Sequence, residues 1–138
     1  MTTRLAILLL LLLSAHASNA QSPQEVVTAR MDALNAHDLS ALMDLYAEDV
    51  VISVFPGTPL TSGRGALREL FASLVETGDA EVTVTSMLAS GPFVVVERTF
   101  SYGQVSEPGI AVYRVEGGLI THVEFLRDGR RAKRVDRF

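Results

Sequence analysis

The chain has 138 residues, with 16 acidic and 12 basic side chains, a net charge of −4, and no cysteine or tryptophan. The missing cysteine excludes disulfides, a thiol nucleophile and thiolate metal ligands. Residues 21–126 carry 14 acidic against 5 basic groups while residues 127–138 carry 2 against 6, and an acidic body of this kind excludes a nucleic-acid-binding face.

The N-terminus reads as an address. Arg4 precedes the unbroken apolar run Leu5 to Leu13, and the small residues Ala15-His16-Ala17 and Ser18-Asn19-Ala20 follow. This is the three-part pattern of a secretory signal peptide. Nine apolar residues fall well short of the roughly 20 that span a bilayer, so no stable membrane span is expected. Cleavage after Ala20 leaves residues 21–138 as one domain, periplasmic or secreted, with a short basic C-terminal tail.

Ser22-Pro23-Gln24-Glu25 predicts a capping box with proline in the first turn. Val27, Met31 and Leu34 continue at helical spacing. His37-Asp38 breaks the helix, and Asp38 caps a second, short one whose apolar side is Leu39, Leu42, Met43 and Tyr46. Val50 to Phe55, rich in β-branched residues, predicts a strand ended by Pro56-Gly57-Thr58-Pro59. After Ser62-Gly63-Arg64-Gly65 a third helix carries Leu67, Leu70, Phe71, Leu74 and Val75 in one stripe, and Gly78 stops it.

The remainder predicts antiparallel strands: Glu81 to Leu88, Phe93 to Tyr102 after the turn Ser90-Gly91-Pro92, then a loop from Gly103 to Gly109. A hairpin of Ile110 to Val115 and Leu119 to Leu126 turns at Glu116-Gly117-Gly118. On its last strand Val123 and Phe125 are assigned to the helix-covered face, with His122 and Glu124 opposite. Helices followed by a meander is an α+β arrangement.

Several elements together resemble the nuclear transport factor 2-like superfamily, in particular ketosteroid isomerases and SnoaL-like cyclases. They are Ala33-Leu34-Asn35-Ala36, Asp38-Leu39, Ala47-x-Asp49, Ser62-Gly63, Leu67-Arg68-Glu69 with Phe71, and Tyr113-Arg114-Val115-Glu116-Gly117. The resemblance implies a cone: three N-terminal helices packed on a curved, mostly antiparallel sheet, enclosing a pocket.

Isomerase chemistry of that family needs a carboxylate base and two donors for the developing enolate oxygen. By resemblance, the tyrosine of the first helix falls at Arg30, the base aspartate at Val54 and the proton-holding aspartate near Ala111. Ordinary ketosteroid isomerisation is therefore not expected. The acidic residue of the cyclases falls near Phe125, and a one-residue slip would bring Glu124 inward. Glu97 and Glu124 are thus the candidate bases of a divergent isomerase, cyclase or hydratase.

His37 and His122 lack metal-ligand spacing, so neither a metal nor another cofactor is expected. The expected ligand site is Tyr46, Val54, Phe55, Phe71 and Phe125, with Arg30 as its polar member. It suits a small hydrophobic or amphipathic molecule. A third expectation is a homodimer or partner surface on the open face of the sheet.

Overall fold

The computed structural model describes residues 20–127 and 133–134, so the expected signal peptide up to Asn19 and most of the basic tail lie outside the described residues. Helix α1 (Pro23–Asn35) begins at the capping box: the Glu25 amide donates to Ser22 Oγ at 3.2 Å and the Ser22 amide donates to Glu25 Oε2 at 3.4 Å. It ends where His37 adopts a left-handed φ of 55°. Asp38 then caps α2 (Leu39–Met43), accepting from the Ala41 amide at 3.0 Å.

The strands are β1 (Tyr46–Val54), β2 (Thr58–Ser62), β3 (Glu81–Ser90), β4 (Phe93–Tyr102), β5 (Val105–Glu116), β6 (Leu119–Leu126) and the two-residue β7 (Lys133–Arg134), with α3 (Arg64–Glu76) between β2 and β3. They form one unclosed sheet in the order β2-β1-β6-β5-β4-β3, with β7 paired to the start of β5. All neighbours are antiparallel except β1 and β6, which run parallel. Helices α1 and α3 cover one face, where Val26, Leu34, Leu42, Leu67, Val94, Ile120 and Val123 are buried with the rest of the core.

Several expectations are corrected. Tyr46 belongs to β1 rather than the second helix: α2 is capped at Asp44, and Tyr46 pairs with Ile120, whose amide donates to the Leu45 carbonyl at 2.8 Å. The turn at Pro56-Gly57 ends β1 as expected, but Thr58-Pro59 opens an unexpected edge strand, β2, where proline costs no ladder bond. The expected loop Gly103 to Gly109 is mostly strand. Pro108 is tolerated in β5 because it pairs with Thr99 on β4, while β6 reaches only to the partner of Ile110. Leu70, placed in the inward stripe of α3, is 43% exposed, and Leu67 and Phe71 bear the burial.

The assignment of the last strand matches the observed burial. Val123 is buried and Phe125 packs against the core, whereas His122 is exposed. The imperfect alternation has a cause: the register between β5 and β6 shifts after Arg114, so Val115 pairs with Ile120 but Arg114 with His122. Thr121 is the extra residue, and it lets both Ile120 and Val123 point inward.

Candidate functional site: a buried arginine inside the cone

Cross-strand pairing arranges the inner face in rows. One row runs Met87, Val96, Ala111, Phe125, Val54; beside it lies Ala89, Val94, Tyr113, Val123, Ile52; on the other side Val84, Arg98 and Gly109 align. Val54, Ala111 and Phe125 are therefore brought together, as the resemblance implied. The row is wholly apolar, so the place where an enolising base would sit holds valine.

The charged group of the interior comes from α1. Its buried residues are Val26, Val27, Arg30, Met31, Ala33 and Leu34. Arg30 lies three and four residues from apolar neighbours on both sides, at the centre of the buried stripe rather than its edge. It is 5% exposed, the one buried charged side chain among the described residues.

Arg30 Nε donates to Tyr46 Oη at 2.9 Å, and Nη1 lies 3.4 Å from the Met31 sulfur, a weak acceptor. Its guanidinium carbon is 5.5 Å from the centre of the Phe71 ring and 5.7 Å from that of Tyr113. Tyr46 and Phe71 are themselves tilted against each other at 6.3 Å. Three aromatic rings thus surround one cation, an arrangement that recovers part of the lost hydration. Burial opposes the charge, but neighbouring Tyr113 and Tyr46 outweigh it and hold the Arg30 pKa above its ordinary value. Among the described residues no carboxylate lies within ion-pair distance of Arg30; the pairs present are Arg64–Glu48, Arg114–Glu116 and Arg127–Glu107.

Two further interior groups escaped the sequence reading. Tyr113 is 1% exposed, and burial pushes its phenol pKa up, against the opposing pull of Arg30. It stays protonated at neutral pH and can donate. Arg98 stacks over Phe125 at 5.1 Å and donates from Nη1 to the Glu107 carbonyl at 3.2 Å. Burial lowers its pKa, and the charge of Arg30 pushes in the same direction. Both were legible as parity: Tyr113 lies two residues from Ala111, and Arg98 two from Val96. The run Val94-Val95-Val96 hid that parity in β4.

The other expected site residues lie elsewhere. Phe55 is 62% exposed beyond the end of β1 and does not reach the interior; only its backbone amide is held, donating to the Phe125 carbonyl at 2.9 Å. Glu97 and Glu124 do not face the interior either. Glu97 pairs across the sheet with Ser86 and Ile110 and accepts from Ser86 Oγ at 3.1 Å. Glu124 lines an outer depression with Ser53, Phe93, Val112, Arg114 and His122. The β-bulge at Thr121 fixes this register and rules out the slip that would have turned Glu124 inward.

His37, at the break after α1, ties that corner to the chain before β3, with Nε2 2.9 Å from the Ala80 carbonyl. The described residues hold no cluster of three metal-ligating side chains, and none of their helices is long and apolar enough to cross a membrane.

This topology, with helices on the concave side of an unclosed sheet, is matched by a family sequence profile, the SnoaL-like domain, over residues 27–123. The chain belongs to the SnoaL-like domain family. Solved structures agree in fold. An LEH-like epoxide hydrolase from Mycobacterium tuberculosis superposes with a TM-score of 0.66 at 22% identity, over 77% of this chain and 82% of that one. IdmH from Streptomyces antibioticus, described as a candidate polyketide cyclase, gives 0.66 at 20% identity over 78% and 93%. An NTF2-like protein of unknown function from Cytophaga hutchinsonii gives 0.69 at 17% identity over 78% and 90%. A search of curated proteins finds no significant match.

Proposed function

We propose that this SnoaL-like domain is an exported binding protein that takes a small, partly apolar molecule into its cone and does not isomerise ketosteroids. The observation that carries the reading is the interior itself. Arg30, Tyr46, Phe71 and Tyr113 form a polar spot within apolar walls, and the row containing Val54 and Ala111 offers no base. General-base help worth roughly 10²–10⁴ in rate is missing from such a site.

The test is direct. With a Δ5-3-ketosteroid, formation of the conjugated enone followed by ultraviolet absorbance should stay at the uncatalysed background. Turnover inside the usual enzyme range of about 1–10³ s⁻¹ would overturn the reading. Export rests on the Leu5 to Leu13 run and the small residues that follow it. N-terminal sequencing of protein recovered from the periplasm or medium should begin at Gln21, or at Ser18 if the earlier site is used. Retention of Met1 there would refute cleavage.

The outer sheet face supports a second, compatible reading as a homodimer surface. Leu88, Phe93 and Ile110 are 68%, 45% and 38% exposed on it, and Val95, Val112 and Leu126 lie in the same rows. A contiguous apolar patch of this kind marks an interaction surface more often than a solvated one. Sedimentation equilibrium at micromolar concentration should give twice the chain mass, and Phe93→Glu should give the monomer. A wild-type monomer at that concentration would dismiss the dimer.

A further inference from the structure

Among the described residues, the buried cation Arg30 has no carboxylate within ion-pair distance. Arg30 is 95% buried, and its described partners are a phenol, a thioether and two ring faces. None of these is a carboxylate, and Nη2 makes no hydrogen bond to a described residue, although no fully enclosed side-chain nitrogen or oxygen among the described residues is left unsatisfied. Tyr113 is 99% buried, and its hydroxyl makes no hydrogen bond to another described residue. Arg98 faces the same interior one row from Ala111 and is half-buried over Phe125. The acidic side chain nearest to it along β5, Glu107, pairs with Arg127 at 2.9 Å and also favours the charge of Arg98.

Buried charges in proteins are almost always paired, because an isolated ion in a poorly polarisable interior loses most of its hydration. Ring faces recover part of that loss, but they satisfy none of the in-plane N–H groups. Arg30 keeps N–H groups beyond the one given to Tyr46, the Tyr113 phenol stands beside it, and Arg98 nearby gives one N–H to the Glu107 carbonyl and retains others. That set matches a planar anion with two oxygens, which takes parallel N–H donors from arginine.

We propose that Arg30, assisted by Tyr113 and by the field of Arg98, receives the carboxylate of an amphipathic ligand whose apolar part lies against Phe71, Phe125 and Val54. The inference rests on the reading of the cone as a small-molecule site. The carboxylate supplies a counter-charge that no described residue gives to Arg30, and it relieves the mutual repulsion of the two arginines. An ester or amide of the same chain length fills the same volume but does neither.

The experiment uses the mature protein and three matched probes: octanoate, methyl octanoate and octanamide, titrated calorimetrically at pH 7.5. Nile red, an uncharged fluorescent probe of apolar cavities, reports cone occupancy separately. Octanoate should bind on the order of 10–100-fold more tightly than either neutral probe, the equivalent of one charge-assisted hydrogen-bonded contact. Arg30→Met should abolish the preference while leaving methyl octanoate within about threefold of wild type. Tyr113→Phe, a milder change that keeps the ring, should reduce octanoate binding several-fold and leave the ester unaffected.

Equal affinity of the wild type for acid and ester, with Nile red still bound, overturns the carboxylate assignment and leaves the cone a binding site. A wild type that takes up neither Nile red nor any of the three probes overturns both. An acid preference that survives both Arg30→Met and Tyr113→Phe places the anion elsewhere and also overturns the assignment. Because the acid-to-ester ratio of the wild type is itself decisive, a poorly folded Arg30 variant does not shelter the proposal.

Discussion

Phe71→Ala is expected to remove about 3–5 kcal/mol of stability, the usual cost of truncating a buried aromatic side chain. The ring is 7% exposed and is one of only two fully buried side chains of α3, the other being Leu67. Its loss removes a principal anchor of that helix, beside Leu67 and the partly buried Leu74 and Val75, and opens a void next to Tyr46 and Arg30, 6.3 and 5.5 Å from the ring centre. The cavity exposes one face of a buried cation, so the loss includes a cation–π contribution of about 0.5–2 kcal/mol. Phe71→Leu separates the two effects, since it restores most of the apolar volume and none of the π-system. Urea denaturation should show a lower midpoint with an unchanged slope for both variants, and a larger shift for alanine. A loss below about 1 kcal/mol for alanine would mean that α3 is held by other contacts.

The first helix, the second helix and the meander were legible because each is announced by local chemistry. Ser22 and Glu25 can satisfy free amides reciprocally only at a helix start, and both hydrogen bonds form. Asp38 does the same for α2. What local chemistry does not carry is pairing over distance. Asn35 donates to the Val82 carbonyl at 2.9 Å and accepts from the Val82 amide at 2.8 Å, so the end of α1 acts as a strand partner for the edge of β3. No periodicity announces that contact. β2 and the early part of β5 were missed for a related reason. Proline and glycine signal a turn locally, yet an edge position removes the penalty that makes them turn signals.

The site divides in the same way. Arg30 was found because it replaces a tyrosine that the resemblance requires, but its depth was not foreseen: spacing from Val27 and Met31 suggests the edge of the buried stripe, and the side chain is 5% exposed. Arg98 and Tyr113 are visible only once the inner face of each strand is known, and a run of three valines gives no parity. Phe55 was misplaced because an aromatic residue at a strand end invites a core reading. There the turn at residues 55–57 leads the chain away from the interior. Glu124 depended on register, which the bulge at Thr121 decides, and Glu97 on the parity of β4, which the valine run hid.

Arg30→Met combined with Tyr46→Phe is expected to make the ligand-free domain more stable than wild type, by about 1–4 kcal/mol, in line with buried polar pairs replaced by well-packed apolar ones. In favour of the native pair stand one charge-assisted hydrogen bond at 2.9 Å and two ring faces within 5.7 Å. Against it stands the desolvation of an ion at 5% exposure, which costs several kcal/mol when no counter-ion is present. Methionine keeps an unbranched apolar stem of high helix propensity and fills the slot between the rings. Phenylalanine removes the hydroxyl that would otherwise lose its donor. Tyr46→Phe alone should act in the opposite sense, lowering stability by about 1.5–3 kcal/mol, because it withdraws the acceptor and leaves the charge in place. Thermal and urea unfolding of the two single variants and the double variant would give the signs and the coupling. A double variant less stable than wild type would show that Arg30 is a structural strut. A more stable one would show that the fold gives up stability to keep a cation inside the cone, the trade expected of a residue retained for binding.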